Sequence, residues 1–248
     1  MPDEKAFEAA KKKIIGVDRQ RFSIGTYGEK TVHAILKNYY EPDEDHQEIP
    51  IDNYVADIYR DGQIIEIQTR QFNKLRGKLS AFLDAYSVTV VYPVPREKWL
   101  LWIDEESGEL SAPRKSPQKG TRYTIFPELY KIKMFLDHPN LHFKIALMDM
   151  EEYRLLNGWS KDKKKGSSRF DRIPLQFVEE IDITCKEDYM QFVPYELEEF
   201  TVKDFAKAAH IPQKCAGTAV HILHHLGILT RTGKKGNAYL YVCQDSTP

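Results

Sequence analysis

Residues 55–69 read VADIYRDGQIIEIQT, and this stretch constrains the chain more than any other. Two runs rich in β-branched residues flank Asp61-Gly62, the two-residue signal for a type I′ hairpin. A two-residue loop sets the register. Arg60 then faces Gln63, Tyr59 faces Ile64, Ile58 faces Ile65 and Asp57 faces Glu66. Side chains alternate along a strand, so Ala56, Ile58, Ile65 and Ile67 share one apolar face. Asp57 and Glu66 share the other, with opposed Cβ atoms roughly 4.5–5.5 Å apart. Like charges so placed repel. A divalent cation between them relieves that repulsion. A solvent-facing edge hairpin would carry the same pair with no ligand at all.

The elements around the hairpin follow from periodicity. Residues 4–15 form a short charged helix with Phe7, Ala10 and Ile14 on one side. A second helix is expected over 24–40, where Val32, Ile35, Leu36 and Tyr39 recur at helical spacing. Glu29 falls on or beside its inward face, an unusual place for a carboxylate. Thr26 and Glu29 also fit a capping box, in which Glu29 bonds back to the N-cap amide. Residues 71–86 form an amphipathic helix that buries Phe72, Leu75, Leu79, Phe82 and Leu83. Residues 88–94 (VTVVYPV) suit a strand buried on both faces and ended by prolines. The intervening helix makes that strand parallel to its neighbour.

Further along, 99–103 and 121–126 are expected strands, 127–136 a helix opened by Pro127, and 141–150 a buried strand. Residues 96–150 thus extend the sheet. Residues 158–172 carry six basic residues and two acids with no apolar periodicity, so they read as a mobile loop. Lys163, Lys164, Lys165 and Arg169 there either contact phosphates or belong to a solvated linker.

The last fifty residues have their own order. Thr201 caps one helix, a second runs over 212–226, and a hairpin surrounds Gly233-Lys234-Lys235-Gly236. This layout resembles a winged helix-turn-helix domain over 195–248. In that family the second helix enters a major groove and the wing meets the backbone or minor groove. The resemblance directs Gln213, Lys214, Thr218 and His221 at the groove, with Lys234 and Lys235 on the wing. Such modules also serve protein–protein contact. His221, His224 and His225 lack an evident carboxylate or cysteine partner for a metal.

Glu29, Asp57 and Glu66-Ile67-Gln68 come from successive parts of a helix–β–β–β–helix–β order. Residues 22–95 resemble the PD-(D/E)XK nuclease superfamily, with the layout of its Holliday-junction-resolvase branch. The resemblance implies an α/β, restriction-endonuclease-like mixed β-sheet flanked by helices over 1–194. It implies that Asp57, Glu66 and the Ile67 carbonyl ligate Mg²⁺ or Mn²⁺, with Glu29 assisting directly or through water. Metal ions neutralise the charge of a phosphodiester and lower the pKa of a bound water. Gln68 stands where the family usually has Lys. It can hold a water but brings no charge. Lys78, beside the buried stripe of its helix, is the candidate replacement, with Lys74 one turn earlier. Both also suit a solvated helix face.

The expected function is therefore metal-dependent hydrolysis of phosphodiester bonds, most readily in DNA. The alternative is a weak or inactive nuclease fold that serves as a DNA-binding regulator or interaction protein. Nucleases that cut both strands are often dimers, so a homodimer is compatible. A net charge of −1 over 248 residues excludes a general polyelectrolyte but not local basic patches. Three scattered cysteines suggest reduced thiols. With no apolar run of spanning length and no signal-peptide core, a cytoplasmic protein without a membrane partner is expected.

Overall fold

A computed structural model of the chain describes residues 1–16, 31–104, 107–156 and 167–244. It is a mixed α/β protein with a seven-stranded sheet flanked by helices. The sheet strands are β1 (Gln47–Ile51), β2 (Tyr54–Arg60), β3 (Gln63–Ile67), β4 (Ser87–Ile103), β5 (Arg114–Lys115), β6 (Leu141–Leu155) and β7 (Ser168–Ile183). Their order is β1-β2-β3-β4-β6-β7, with β5 paired to β4. β3 pairs antiparallel with β2 and parallel with β4.

The chain divides into two compact units. The first comprises Met1–Ile49, Pro93–Thr121 and Ala146–Glu180. Here α1 (Glu4–Ile15) packs on α2 (Thr31–Tyr40). The Asp3 side chain caps α1 by accepting from the Ala6 amide, as a helix N-terminus requires. Phe7 and Tyr39 meet the Phe177 ring edge-on at centroid distances of 5.7 and 5.3 Å. The expected helix over 24–40 is present from Thr31, and its earlier part lies outside the described residues.

The second unit comprises Pro50–Tyr92, Arg122–Ile145 and Ile181–Pro248. Its helices are α3 (Arg76–Phe82), α4 (Phe126–Leu129), α5 (Val202–Ala208) and α6 (Gln213–His225). β8 (Glu199–Phe200), β9 (Leu229–Lys235) and β10 (Ala238–Cys243) form a separate three-stranded antiparallel sheet. Phe72, Phe82, Phe126, Phe143, Phe192 and Phe205 are fully buried. Tyr123 sits among Phe126, Phe192 and Phe205, and its hydroxyl donates to the Phe192 carbonyl at 3.0 Å.

Four expectations are corrected. Prolines do not end β4, which runs on to Ile103. Its pairing with β3 stops at Val91, and Val91 turns its carbonyl toward β3 to accept from Gln68. Pro93 and Pro95 share that direction at a level where β3 has ended, so no ladder bond needs their missing N–H. Residues 122–126, within the expected strand 121–126, are helical rather than extended, and the expected helix from Pro127 begins one residue earlier, at Phe126. Tyr123, Ile125, Phe126 and Leu129 are the buried positions, and a short apolar run of this kind is ambiguous by periodicity. The expected loop ends early, because β7 begins at Ser168 and takes in Arg169 and Arg172. The C-terminal hairpin pairs as far as Lys235 with Ala238, so its turn is Gly236-Asn237 and both lysines lie in β9.

Candidate functional site

The hairpin register is the expected one. Asp61 and Gly62 both adopt positive φ (49° and 80°), as a type I′ turn demands. Arg60, Tyr59 and Ile58 oppose Gln63, Ile64 and Ile65. Both faces are covered, since Ile64, on the face of Glu66, is as buried as Ala56 and Ile58 on the other.

The regular ladder stops one step before the carboxylates. In a continued antiparallel ladder the Ile67 N–H would donate to the Ala56 carbonyl. It donates to Asp57 Oδ2 instead, at 2.8 Å. A side chain from β2 thereby replaces a backbone partner and is held against the end of β3.

Glu66 is only 2% exposed. Above it lies α3, whose Phe82 and Leu79 are buried together with Leu75 just before it. Lys78, on the same helix, donates to Glu66 Oε1 at 2.9 Å and Oε2 at 2.7 Å. The chain reaches this helix through Gln71, a non-glycine residue in the left-handed region at φ 61°. The Phe72 amide then donates to Glu128 at 2.8 Å, which fixes the start of the helical segment.

Burial and then the charge of Asp57 push the Glu66 carboxyl up to about 7, and the Lys78 ammonium offsets this in part. Two carboxylates and one ammonium leave one negative charge in excess. A buried group that remains costly to ionise beside its own lysine is the environment a further cation would relieve. Asp57, Glu66 and the Ile67 carbonyl are oxygen donors suited to a hard divalent cation. Among the described residues no group of three or more His, Cys, Asp or Glu side chains gathers at one metal-binding point. Glu29, the expected third acid, lies outside the described residues.

The other expected residues are spread along the chain. Gln68 donates its amide N–H to the Arg70 carbonyl at 2.5 Å, so that nitrogen is engaged away from Glu66. Lys74 is exposed. Lys163, Lys164 and Lys165 lie outside the described residues, and Arg169 is half-buried in β7. On α6, Gln213 and Lys214 are exposed, and the Thr218 hydroxyl turns back to the Lys214 carbonyl at 3.2 Å. His221 is exposed but packs against the Tyr130 ring at 5.3 Å, and His225 meets the Lys133 carbonyl at 3.3 Å. The last turns of α6 thus pack against residues of the same unit.

Sequence reasoning missed Arg231 and Tyr239 on the hairpin. The Arg231 guanidinium lies 4.4 Å from the Tyr239 ring centre, and Lys234 Nζ lies 4.8 Å from it. Tyr239 is 44% exposed. Gly236-Asn237 is itself a two-residue hairpin signal that would have placed Lys234 opposite Tyr239.

The fold and this cluster define a mixed α/β protein that buries one carboxylate, Glu66, beside the half-buried Asp57 and under a helix-borne lysine. The chain belongs to the family described as Domain of unknown function (DUF8091), whose model matches residues 30–184. It is also similar to an "Uncharacterized protein" of Treponema pallidum (strain Nichols). The two are 30% identical over 233 residues, which covers 88% of this chain and 87% of that one. No solved structure matches the chain. Among the described residues no helix is long and apolar enough to cross a membrane.

Proposed function

We propose that this protein is a metal-dependent nuclease with a restriction-endonuclease-like fold, acting on DNA in the cytoplasm. The carrying observation is the Asp57–Glu66–Lys78 cluster. Asp57 and Glu66 would hold Mg²⁺ or Mn²⁺ together with the Ile67 carbonyl. When bound, the metal supplies charge neutralisation at the phosphodiester and a more acidic water. Lys78 brings to Glu66 the positive charge that Gln68 lacks. It reaches the site from the following helix rather than from β3 itself. Residues 195–248 would act as a winged helix-turn-helix module. Gln213 and Lys214 open its second helix, and the Arg231–Tyr239–Lys234 group marks its wing. The order α2, hairpin, α3 and parallel strand supports the fold assignment.

One observation favours a second reading, a DNA-binding regulator on a nuclease fold that does not cut. Lys78 already bonds both oxygens of Glu66, which gives the carboxylate a partner without a metal. Incubation with supercoiled, linear and branched DNA in Mg²⁺ or Mn²⁺ separates the two. Cleavage that is lost in both Asp57→Asn and Glu66→Gln supports the nuclease. No cleavage under any condition, with DNA retardation unchanged in both variants, supports the regulator.

A further inference from the structure

A second charged cluster lies on the parts of β4, β6 and β7 that belong to the first unit. Glu152, on β6, is 2% exposed. Three cations converge on it from three neighbouring strands. Lys98 on β4 approaches Oε2 at 3.4 Å, Arg154 on β6 bonds Oε1 at 3.0 Å, and Arg172 on β7 bonds Oε2 through Nε at 2.9 Å. Arg154 is further pinned by Ser167, whose hydroxyl and carbonyl each accept at 2.9 Å. The Ser167 hydroxyl in turn accepts from the Trp102 indole at 3.1 Å.

One cation is enough to neutralise one carboxylate. Here three meet it, and two positive charges remain in excess at a partly covered surface. Placing like charges together costs energy that the Glu152 pair does not require. Burial pushes the Glu152 carboxyl up, yet Arg172, Lys98 and Arg154 together hold it below the usual range. The carboxylate acts as an anchor that fixes three long side chains in place. They retain solvent contact, with Lys98, Arg154 and Arg172 side chains 14%, 29% and 23% exposed. Their charged ends all lie within 3.4 Å of one carboxylate, so they present a compact, partly exposed cationic patch suited to the phosphates of a polyanion.

We infer that Lys98, Arg154 and Arg172, held together by Glu152, form a contact site for the phosphate backbone of a nucleic acid. The inference rests on the nucleic-acid reading above and adds a contact surface at the β4-β6-β7 end of the large sheet. Phosphate contacts of this kind position the duplex and read no sequence.

The test measures binding of a labelled DNA duplex by the full chain against salt concentration, with no divalent metal present. The double variant Lys98→Gln/Arg172→Gln should lower the slope of log affinity on log salt by roughly 2, one for each lost phosphate contact. Its folding is checked by thermal melting. If that variant does not fold, acylation of Lys98 in the wild-type protein replaces it, and duplex should protect Lys98 from the reagent. Duplex binding with an unchanged slope in a folded variant overturns this site and leaves the nuclease reading standing. Unprotected Lys98 in the bound wild-type complex does the same. Wild-type protein that binds no duplex overturns both. Cleavage tests the nuclease reading separately.

Discussion

Lys78 Nζ bridges both carboxylate oxygens of Glu66, at 2.9 and 2.7 Å, from a helix that begins nine residues after β3 ends. The pair is nearly sealed, with the Glu66 side chain 3% and the Lys78 side chain 23% exposed. Removing one partner of such a pair leaves a buried charge without compensation. Lys78→Met should therefore cost about 3 kcal/mol at pH 8, the low end for a buried pair because Lys78 keeps some solvent. At pH 5 the cost should be much smaller, since Glu66 then carries a proton. Urea unfolding at the two pH values measures both.

Glu66 also sets a pH dependence in the unmodified protein. Its folded pKa, about 7, is above the unfolded value of about 4.3. A raised pKa means that the native state binds the proton more tightly. The stabilisation is complete below the unfolded value and is lost as pH rises through about 7. Glu66→Gln should flatten this loss, so its melting temperature should exceed that of the wild type at pH 8 more than at pH 5.

Asp57 has two separable roles. Its Oδ2 accepts the Ile67 amide, and its charge raises Glu66. Asp57→Asn keeps an acceptor and loses the charge, whereas Asp57→Ala loses both. Asn should leave stability nearly unchanged and lower the Glu66 pKa. Ala should cost about 1–3 kcal/mol for the orphaned amide. Carboxyl NMR titration and denaturant melts distinguish them.

Gly120 tests how closely the loop before α4 approaches β4. A Cβ there would lie 2.5 Å from the Pro95 carbonyl oxygen and 2.5 Å from Val94 Cγ1. The Gly120 amide also donates to the Pro95 carbonyl at 2.9 Å. Backbone cannot step aside as a side-chain tip can. Gly120→Ala should cost about 1–3 kcal/mol, the range for overpacking, read as a lower denaturation midpoint.

The hairpin was legible because a two-residue turn determines every opposed pair that follows. Lys78 was legible as a residue flanking the stripe of Leu75, Leu79 and Phe82, but its contact with both Glu66 oxygens was not. That contact depends on how α3 lies over β3, which periodicity does not encode. The length of β4 was hidden because Pro93 and Pro95 stop a strand only where their nitrogens face a partner. The Glu152 cluster was hidden for a different reason. Lys98, Glu152, Arg154 and Arg172 come from three strands, and only the sheet order β4-β6-β7 brings them together. In sequence they look like ordinary surface charges.

In the proposed site, Asp57 and Glu66 hold a divalent cation. Calorimetric titration of Mn²⁺ into the full chain near pH 7, in two buffers of different ionisation enthalpy, tests it most directly. The expected result is saturable binding that releases a fraction of a proton from Glu66, lost in Asp57→Asn and in Glu66→Gln. Equal Mn²⁺ binding by the wild type and both variants would contradict it, as would no binding by the wild type.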